Sequence, residues 1–176
     1  PEDAYGRSKL QAENLILAGA SRGGPQVVIL RPGFVYGWPW KGNFSTVVAA
    51  VQRGLPLPLG AIRNRRDMIY VGNLSSAIGH AVERTGLAGG VYLLCDGDPV
   101  STPEFFRRVG AAFRKPALLF PVPAMLLRLA GQLAGKSPAI DKLLESLELD
   151  DAPFRHEAGW TPPYNMLQGL RESAAL

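Results

Sequence analysis

Residues 10–30 read LQAENLILAGASRGGPQVVIL, a helical pattern followed directly by a continuous apolar run. The helical pattern is apolar nearly all round in its later turns, so we expect both sides of this helix to be covered. Gly23-Gly24-Pro25 ends it. The run Val27-Val28-Ile29-Leu30 is typical of a strand buried on both faces. A helix that leads into such a strand predicts a parallel α/β sheet.

The alternation of helices and strands is predicted to continue along the chain. After a loop over residues 31–42, Asn43 can cap a helix that Gly54-Leu55-Pro56 ends. Residues 68–71 predict a strand, and Asn73 can cap the helix that follows it. Val91 to Cys95 predicts a further strand.

The C-terminal part of the sequence carries helix signals and proline-rich connections. Ser101-Thr102-Pro103-Glu104 has the pattern of a capping box and predicts a helix to about Arg114. Residues 117–133 predict a short strand and a core helix. Residues 159–164 predict an extended anchor before a last small helix that carries Met166, Leu167 and Leu170.

Length and composition favour one folded domain and argue against several other classes of protein. The chain has 176 residues, 47% of them hydrophobic, and a formal net charge of +4, a modest surplus for a nucleic-acid binder. Its longest uncharged apolar run, residues 116–127, contains three prolines, whereas a membrane span needs about 20 apolar residues. Cys95 is the only cysteine, which fits a reducing compartment. We therefore expect a cytoplasmic protein without a membrane span or a nucleic-acid partner.

Tyr5 and Lys9 are four residues apart on the first predicted helix. This spacing places both side chains on one face, one turn from each other. A lysine ammonium beside a phenol stabilises the phenolate, and the phenol can then exchange a proton near neutral pH. The same spacing also occurs by chance on solvated helices, so on its own it leaves both interpretations open.

A second cluster of polar residues is Arg63, Arg65 and Arg66. It is interpreted either as a solvated turn or as an anion site, for which the planar guanidinium is well suited. His80 and His156 have no second ligand at metal spacing, so we predict no metal site. Cys95 is predicted to be a buried small side chain.

Four motifs occur in one order along the chain: residues 5–9 (YGRSK), 31–37 (RPGFVYG), 66–74 (RDMIYVGNL) and 159–162 (GWTP). Their ordered combination resembles the extended short-chain dehydrogenase/reductase family, the NAD-dependent epimerases and dehydratases. Residues 43–73 are most similar to bacterial UDP-N-acetylhexosamine 4-epimerases and UDP-4-keto-6-deoxy-sugar reductases of surface-polysaccharide pathways. The resemblance implies an α/β fold, namely the C-terminal part of a Rossmann-like doubly wound parallel sheet plus a small α/β substrate-binding subdomain.

The resemblance also implies an activity and a set of site residues. The activity would be that of an NAD- or NADP-dependent nucleotide-sugar epimerase or 4-keto reductase acting on a UDP-sugar. Tyr5 would be the catalytic acid/base, and Lys9 would bind the nicotinamide ribose and assist Tyr5. The other positions that match are cofactor-binding Pro32, Phe34 and Val35, and substrate-binding Asn43, Leu57, Leu59 and Arg66. Many sugar epimerases have Asn where this chain has Phe34.

The glycine-rich first turn of a dinucleotide site does not occur in this sequence. We therefore expect residues 1–176 to be one domain that corresponds to the C-terminal half of such an enzyme, and to bind NAD(P) poorly alone. Residues 1–42 and about 67–100 would lie on the Rossmann side, and residues 43–66 and 101–176 mainly on the nucleotide-sugar side. In the complete enzyme the resemblance implies a homodimer through the helix that carries Tyr5 and Lys9.

A non-catalytic member of the same fold is the alternative hypothesis. Such a binding or regulatory protein would contact a polyanion through Arg63, Arg65 and Arg66. Tyr5 together with Lys9 favours the enzyme, because a binding module has no need for a phenol beside an ammonium. Ala61, Ile62 and Asn64 lie among the arginines, where a nucleic-acid site would offer aromatic stacking platforms.

Overall fold

The computed structural model describes residues 4–40 and 43–175. Every strand in this part of the chain lies before Cys95, and the residues after it form helices and connections. The predicted alternation therefore ends at that point. The elements are, in chain order, α1 Ala4–Ser21, β1 Val28–Pro32, β2 Phe34–Tyr36, α2 Asn43–Gln52, β3 Met68–Tyr70, α3 Val71–Glu83, β4 Gly90–Leu94, α4 Thr102–Ala112, α5 Ala124–Leu133, α6 Ser137–Leu144, α7 Ala152–Ala158 and α8 Met166–Ala174.

The four strands form two parallel pairs, which confirms the predicted parallel α/β arrangement. β1 pairs with β4, and β2 pairs with β3. Gly33 N donates to the Leu94 carbonyl at 2.8 Å and extends the β1–β4 pair, and Asp96 N, just after β4, donates to the Met68 carbonyl of β3 at 2.8 Å and so joins the two pairs. Parallel strands need long crossover connections, and helices lie between the paired strands in the sequence.

The loop predicted over residues 31–42 is wrong at Phe34–Tyr36, which form β2. The chain changes strand partner at Gly33, between β1 and β2. A Cβ atom added to Gly33 would lie 3.1 Å from the Asp67 carbonyl oxygen, so a larger residue would press on the neighbouring strand. Pro32-Gly33 therefore marks a change of partner within the sheet, where the sequence pattern indicated a loop.

Two hydrophobic clusters lie in the described part of the chain. The sheet cluster consists of side chains from β3, β4, α3, α7 and the residues next to them: Ile69, Ala77, Leu87, Tyr92, Leu94, Phe154, Ala158 and Trp160. The aromatic cluster consists of side chains from β2, β3, α2, α4, α5 and α8, among them Tyr36, Phe44, Tyr70, Phe105, Phe106, Met166 and Leu170. Tyr36 and Tyr70 bring β2 and β3 into the aromatic cluster, so this strand pair joins the two packed regions.

A half-buried carboxylate, that of Asp96, holds the two strand pairs together. Asp96 accepts hydrogen bonds from the Tyr36 hydroxyl at 2.8 Å, the Asn73 side-chain amide at 2.7 Å and the Tyr70 backbone N–H at 3.1 Å. Burial raises the pKa of Asp96 above its usual value, while the three donors act in the opposite direction.

The predicted capping role of Asn73 is wrong, because α3 begins at Val71 and Tyr70 is its N-cap residue. Asn73 is buried in the first turn, where its side chain bonds Asp96 and both backbone polar groups of Tyr164. These bonds need the amide to point away from the helix backbone. Asn73 thus connects α3 to β4 and to the segment before α8.

Capping predictions succeed where the signals are local. Ser101 caps α4 by accepting a hydrogen bond from Glu104 N at 3.3 Å. The Glu104 carboxylate pairs with Arg107 and Arg108. Asn165 and Gln168 form a full capping box at α8, the predicted last helix.

Two helices are less covered than the sequence patterns predicted. None of the residues of α1 is buried, whereas the pattern predicted cover on both sides. In α5, predicted as a core helix, only Leu127 and Gly131 are buried. Within the described ranges, no helix combines the length and the apolar composition that crossing a membrane requires.

We expect Asn73→Ala to lower the free energy of unfolding at pH 7.5 by about 2 to 3 kcal/mol, because it removes a hydrogen bond to the half-buried Asp96 carboxylate and the bonds to the Tyr164 backbone. This loss of unfolding free energy should depend on pH, because Asp96 has a raised pKa and its hydrogen bond from Asn73 favours the charged carboxylate. Asn73 stabilises the charged form, so the loss should be full above the folded pKa of Asp96 and should shrink as the pH falls through it. Urea unfolding at pH 7.5 and near pH 4 measures both effects. Exposed Asn14→Ala is the matched control, and an equal loss in both variants would contradict the assignment.

Cys95 is fully buried, and burial raises the pKa of its thiol to about 12. At pH 8 the thiolate fraction should therefore lie at least about a thousandfold below that of an exposed thiol. We expect the native protein to react correspondingly slowly with a thiol reagent and the urea-unfolded protein to react fast. Labelling of native Cys95 at the unfolded rate would show that this strand end is open.

Candidate active site

Tyr5 and Lys9 lie on α1 as their spacing predicts. The Lys9 ammonium nitrogen is 5.5 Å from the centroid of the Tyr5 ring. Both side chains are exposed, and Tyr5 is 71% accessible. The Glu13 carboxylate, one turn further along α1, pairs with the Arg31 guanidinium of β1. This ion pair holds the helix that carries Tyr5 and Lys9 against the strand that ends at Pro32.

Pro32, Phe34 and Val35 lie where β1 ends and β2 begins, and all three are exposed. They form an accessible, apolar stretch. The structure brings Tyr5 into contact with Lys9, and Phe34 into contact with Arg66. The two contacts lie on different elements. Tyr5 and Lys9 are both on α1, whereas Phe34 is on β2 and Arg66 precedes β3.

A cavity of about 150 Å³ lies between β2, β3, α2, α4 and α6. Its walls are mainly aromatic, with the Phe34 and Phe44 rings 5.6 Å apart and the Phe44 and Phe105 rings 5.3 Å apart, both edge to face. A cavity of roughly this volume holds one benzene ring in an engineered protein. Among the described residues, those that line it are Phe34, Phe44, Val47, Arg66, Met68, Thr102, Phe105, Phe106, Ala139, Lys142 and Leu143.

Arg66 supplies the cavity with a guanidinium group. Its central carbon lies 5.1 Å from the centroid of the Phe34 ring, and its Nη1 donates to the backbone carbonyl of Lys142 in α6. Burial lowers the pKa of Arg66, and the nearby Glu145 carboxylate opposes this effect. An arginine still keeps its charge in such a setting. The cavity is therefore apolar, with one half-buried cation.

The arginine cluster of the sequence is divided in the structure. Arg65 is exposed and pairs with Glu148 at 3.1 Å, and Arg63 is exposed as well. Arg66 alone of the three lines the cavity. Its backbone bonds Val100 in both directions, which fixes the position of the residue.

A buried hydrogen-bond network fixes the part of the cavity wall that α4 and α6 form. The Asn64 amide donates to the Thr102 hydroxyl and to the carbonyls of Leu143 and Glu145, at 3.0 to 3.1 Å. Its oxygen accepts the Thr102 N–H at 2.8 Å. Asn64 thereby joins the start of α4 to the end of α6, and both helices line the cavity.

Two of the other predicted substrate residues, Leu57 and Leu59, are not among the described residues that line the cavity. Leu57 exchanges backbone hydrogen bonds with Leu118 and Phe120, and Leu59 is buried. The side chain of Asn43 lies outside the described residues, although α2 begins at this position.

Sequence reasoning missed the cavity residues of the C-terminal part: Thr102, Phe105, Phe106, Ala139, Lys142 and Leu143. A start signal for α6 does exist in Ser137-Pro138, with proline in the first turn. The position of this helix beside Arg66 depends on the hydrogen bonds that Asn64 makes to its C-terminal carbonyls. These are tertiary contacts, which no local sequence pattern predicts. His80 and His156 are exposed, and the described residues contain no group of three or more His, Cys, Asp or Glu that could hold a metal ion.

Comparison with known proteins gives consistent matches. The model of the NAD dependent epimerase/dehydratase family matches residues 1–95. UDP-glucose 4-epimerase of Vibrio cholerae is 38% identical over 175 residues, which are 99% of this chain and 53% of that protein. The UDP-N-acetylglucosamine 4-epimerase structure from Bacillus cereus matches with a TM-score of 0.77 at 18% identity, over 99% of this chain and 55% of that one. UDP-glucose 4-epimerase from Thermotoga maritima, solved with UDP-glucose, gives 0.67 at 20% identity, over 97% and 52%.

The chain spans about half the length of the curated relatives it matches. The solved structures establish the fold, which is the Rossmann-like α/β fold of the extended short-chain dehydrogenases/reductases. The family match covers more than half of the chain and includes Tyr5, Lys9, β1, β2 and Arg66. On this match, the chain belongs to the NAD-dependent epimerase/dehydratase family.

Proposed function

We propose that the protein containing this chain is an NAD(P)-dependent epimerase or 4-keto reductase that acts at C4 of a UDP-sugar. The observation that carries this proposal is the contact between Lys9 and Tyr5 on an exposed face of α1, in a chain that belongs to the epimerase/dehydratase family. The name of the Vibrio cholerae relative supports a UDP-sugar substrate. Similar solved structures hold NAD or NADPH. A role in surface-polysaccharide synthesis and a cytoplasmic location stay predictions.

The proposed cofactor residues fit a nicotinamide in chemical character. Pro32, Phe34 and Val35 are exposed and offer an apolar surface, while Tyr5 and Lys9 offer a hydroxyl and an ammonium. NAD(P) would supply the acceptor and donor of hydride. The residues of this chain would hold its nicotinamide end, with Lys9 bonding the ribose.

Tyr5 is the proposed proton-transfer group. It would take the proton of the sugar 4-hydroxyl when that carbon is oxidised, and return a proton when the 4-keto group is reduced. The Lys9 ammonium, 5.5 Å from the centroid of the Tyr5 ring, would stabilise the negative charge that develops on the Tyr5 oxygen or the sugar oxygen in the transition state. The exposure of Tyr5 leaves its hydroxyl accessible to a substrate.

Arg66 is the proposed diphosphate ligand, supported by its half-buried position at an aromatic cavity. A guanidinium matches phosphate oxygens in geometry and charge. The N-terminus of α2, with Asn43, would add a favourable partial charge for the same anion. Leu57 and Leu59 would lie along the uracil. Phe34 provides an aromatic wall where many sugar epimerases have an asparagine.

A homodimer through α1 is part of the proposal. None of the described residues of α1 is buried, and Leu15 and Ile16 are exposed on it. Packing of α1 against a second copy would cover these side chains. The polyanion alternative is weakened, because Arg65 is paired with Glu148 and Arg66 turns to the cavity.

We expect Tyr5→Phe, made in the full-length protein, to reduce turnover at least about a hundredfold, because the proton-transfer group is lost. UDP-sugar affinity should stay nearly unchanged. Steady-state kinetics and calorimetry measure the two effects. Tyr164→Phe, at an exposed tyrosine in the segment before α8, is the matched control. Turnover of Tyr5→Phe within a few-fold of the parent would overturn the role of Tyr5.

We expect Arg66→Met to weaken UDP binding by about 1.5 to 3 kcal/mol, the range for a hydrogen bond to a charged group. Uridine, which has no phosphate, should bind almost as before. Calorimetric titration with both ligands tests this. Arg65→Met is the matched control, because Arg65 is exposed and paired on the surface. Equal losses for UDP and uridine would indicate a damaged fold, and equal losses in both variants would favour the polyanion hypothesis.

A further inference from the structure

The helix α5 turns an apolar face away from the core. Leu127 and Gly131 face inward, and the opposite side carries Met125, Leu126, Leu129 and Leu133, which are 78%, 50%, 51% and 84% exposed. Three of these residues follow one another at a spacing of four, which makes a continuous stripe along the helix. We call these four residues the α5 face.

The charges near the α5 face are mainly positive, with one carboxylate, that of Asp141, among them. Residues 109–140 contain four cations, Arg114, Lys115, Arg128 and Lys136, and no Asp or Glu. The whole chain has a net charge of +4, so the remainder of the chain is neutral overall. Asp141 in α6 pairs with Arg128 at 3.2 Å. Arg114 and Lys136 are exposed, one before α5 and one directly after it.

The chemistry of the α5 face fits lipid better than protein. Its exposed side chains are aliphatic, whereas the side chains that dominate protein interfaces are Trp, Tyr and Arg. A second copy of the chain would bring a face with the same cations, and like charges disfavour that pairing. An amphipathic helix with cations beside an apolar face is suited to the surface of a bilayer that contains anionic lipid.

We propose that the α5 face docks the protein onto an anionic lipid bilayer. The helix lies in the plane of the surface, with the aliphatic side chains among the upper acyl chains. Arg114 and Lys136 lie at the level of the headgroups. This surface is separate from Tyr5 and Lys9 on α1, and the proposal stands on exposure and charge whatever reaction the protein catalyses.

Co-sedimentation of the full-length protein with vesicles tests the proposal. Vesicles of phosphatidylglycerol and phosphatidylcholine should bind the protein at least about tenfold more tightly than vesicles of phosphatidylcholine alone. The triple variant Met125→Gln, Leu129→Gln, Leu133→Gln should reduce binding at least about tenfold. Absence of binding to the anionic vesicles would overturn the proposal and would show that something else covers the face.

Two matched variants separate the apolar and the charged contributions. Val82→Gln, on α3, replaces an apolar side chain that is 82% exposed outside the α5 face, and should leave binding unchanged. The double variant Arg114→Gln, Lys136→Gln should reduce binding to anionic vesicles about tenfold or more. An equal loss in Val82→Gln, or no loss in the double variant, would contradict the proposal.

A measurement of oligomeric state distinguishes a second copy of the chain from lipid. If the triple variant changes a dimer into a monomer in sedimentation velocity while vesicle binding is unchanged, the face is a protein interface and the proposal is wrong. Slow thiol labelling of Cys95 reports that each variant is folded. The single variant Leu133→Gln, at the most exposed position of the face, repeats the test with the least change to the helix.

Discussion

The carboxylate of Asp96 determines how the two halves of the sheet meet. It receives donors from β2, from the end of β3 and from α3, and its own backbone N–H bonds β3. Burial raises the pKa of Tyr36, so its hydroxyl remains a donor to Asp96. Removal of any one donor would leave this half-buried carboxylate with fewer hydrogen bonds, and the cost of that desolvated charge adds to the loss of the bond itself. The positions of β2 and β3, and hence of Phe34 and Arg66, depend on this group.

A second polar network fixes the part of the cavity wall that α4 and α6 form. Asn64 joins α4 and α6 through bonds that satisfy both its amide hydrogens and its oxygen. Aromatic side chains fill the space between the two networks, and their edge-to-face contacts stabilise the walls without polar groups. The cavity thus lies between two rigid supports, and Arg66 is the charged group that reaches it.

The features that sequence could predict are those set by neighbours along the chain. Helical spacing placed Tyr5 beside Lys9, the apolar run predicted β1, and Ser101 predicted the start of α4, because each signal acts within a few residues. β2 was missed because Pro32-Gly33 carries a loop signal, and only pairing with β3 makes Phe34–Tyr36 a strand. Asn73 was assigned to a cap because its bonds to Asp96 and Tyr164 cross long sequence separations. The cavity was missed for the same reason, because its lining residues are spread from position 34 to position 143 and only the tertiary structure brings them together.

Arg66 combines a structural and a proposed binding role in one side chain. Its Nη1 bonds the Lys142 carbonyl of α6, and its central carbon lies 5.1 Å from the centroid of the Phe34 ring. A guanidinium has five N–H groups, so it can keep the carbonyl and still donate to an anion. A lysine would offer a single point charge without the planar group that contacts Phe34, and would have to divide its donors between the two partners. The contacts with α6 and Phe34 therefore occupy part of the guanidinium, and a phosphate ligand would use the N–H groups that remain.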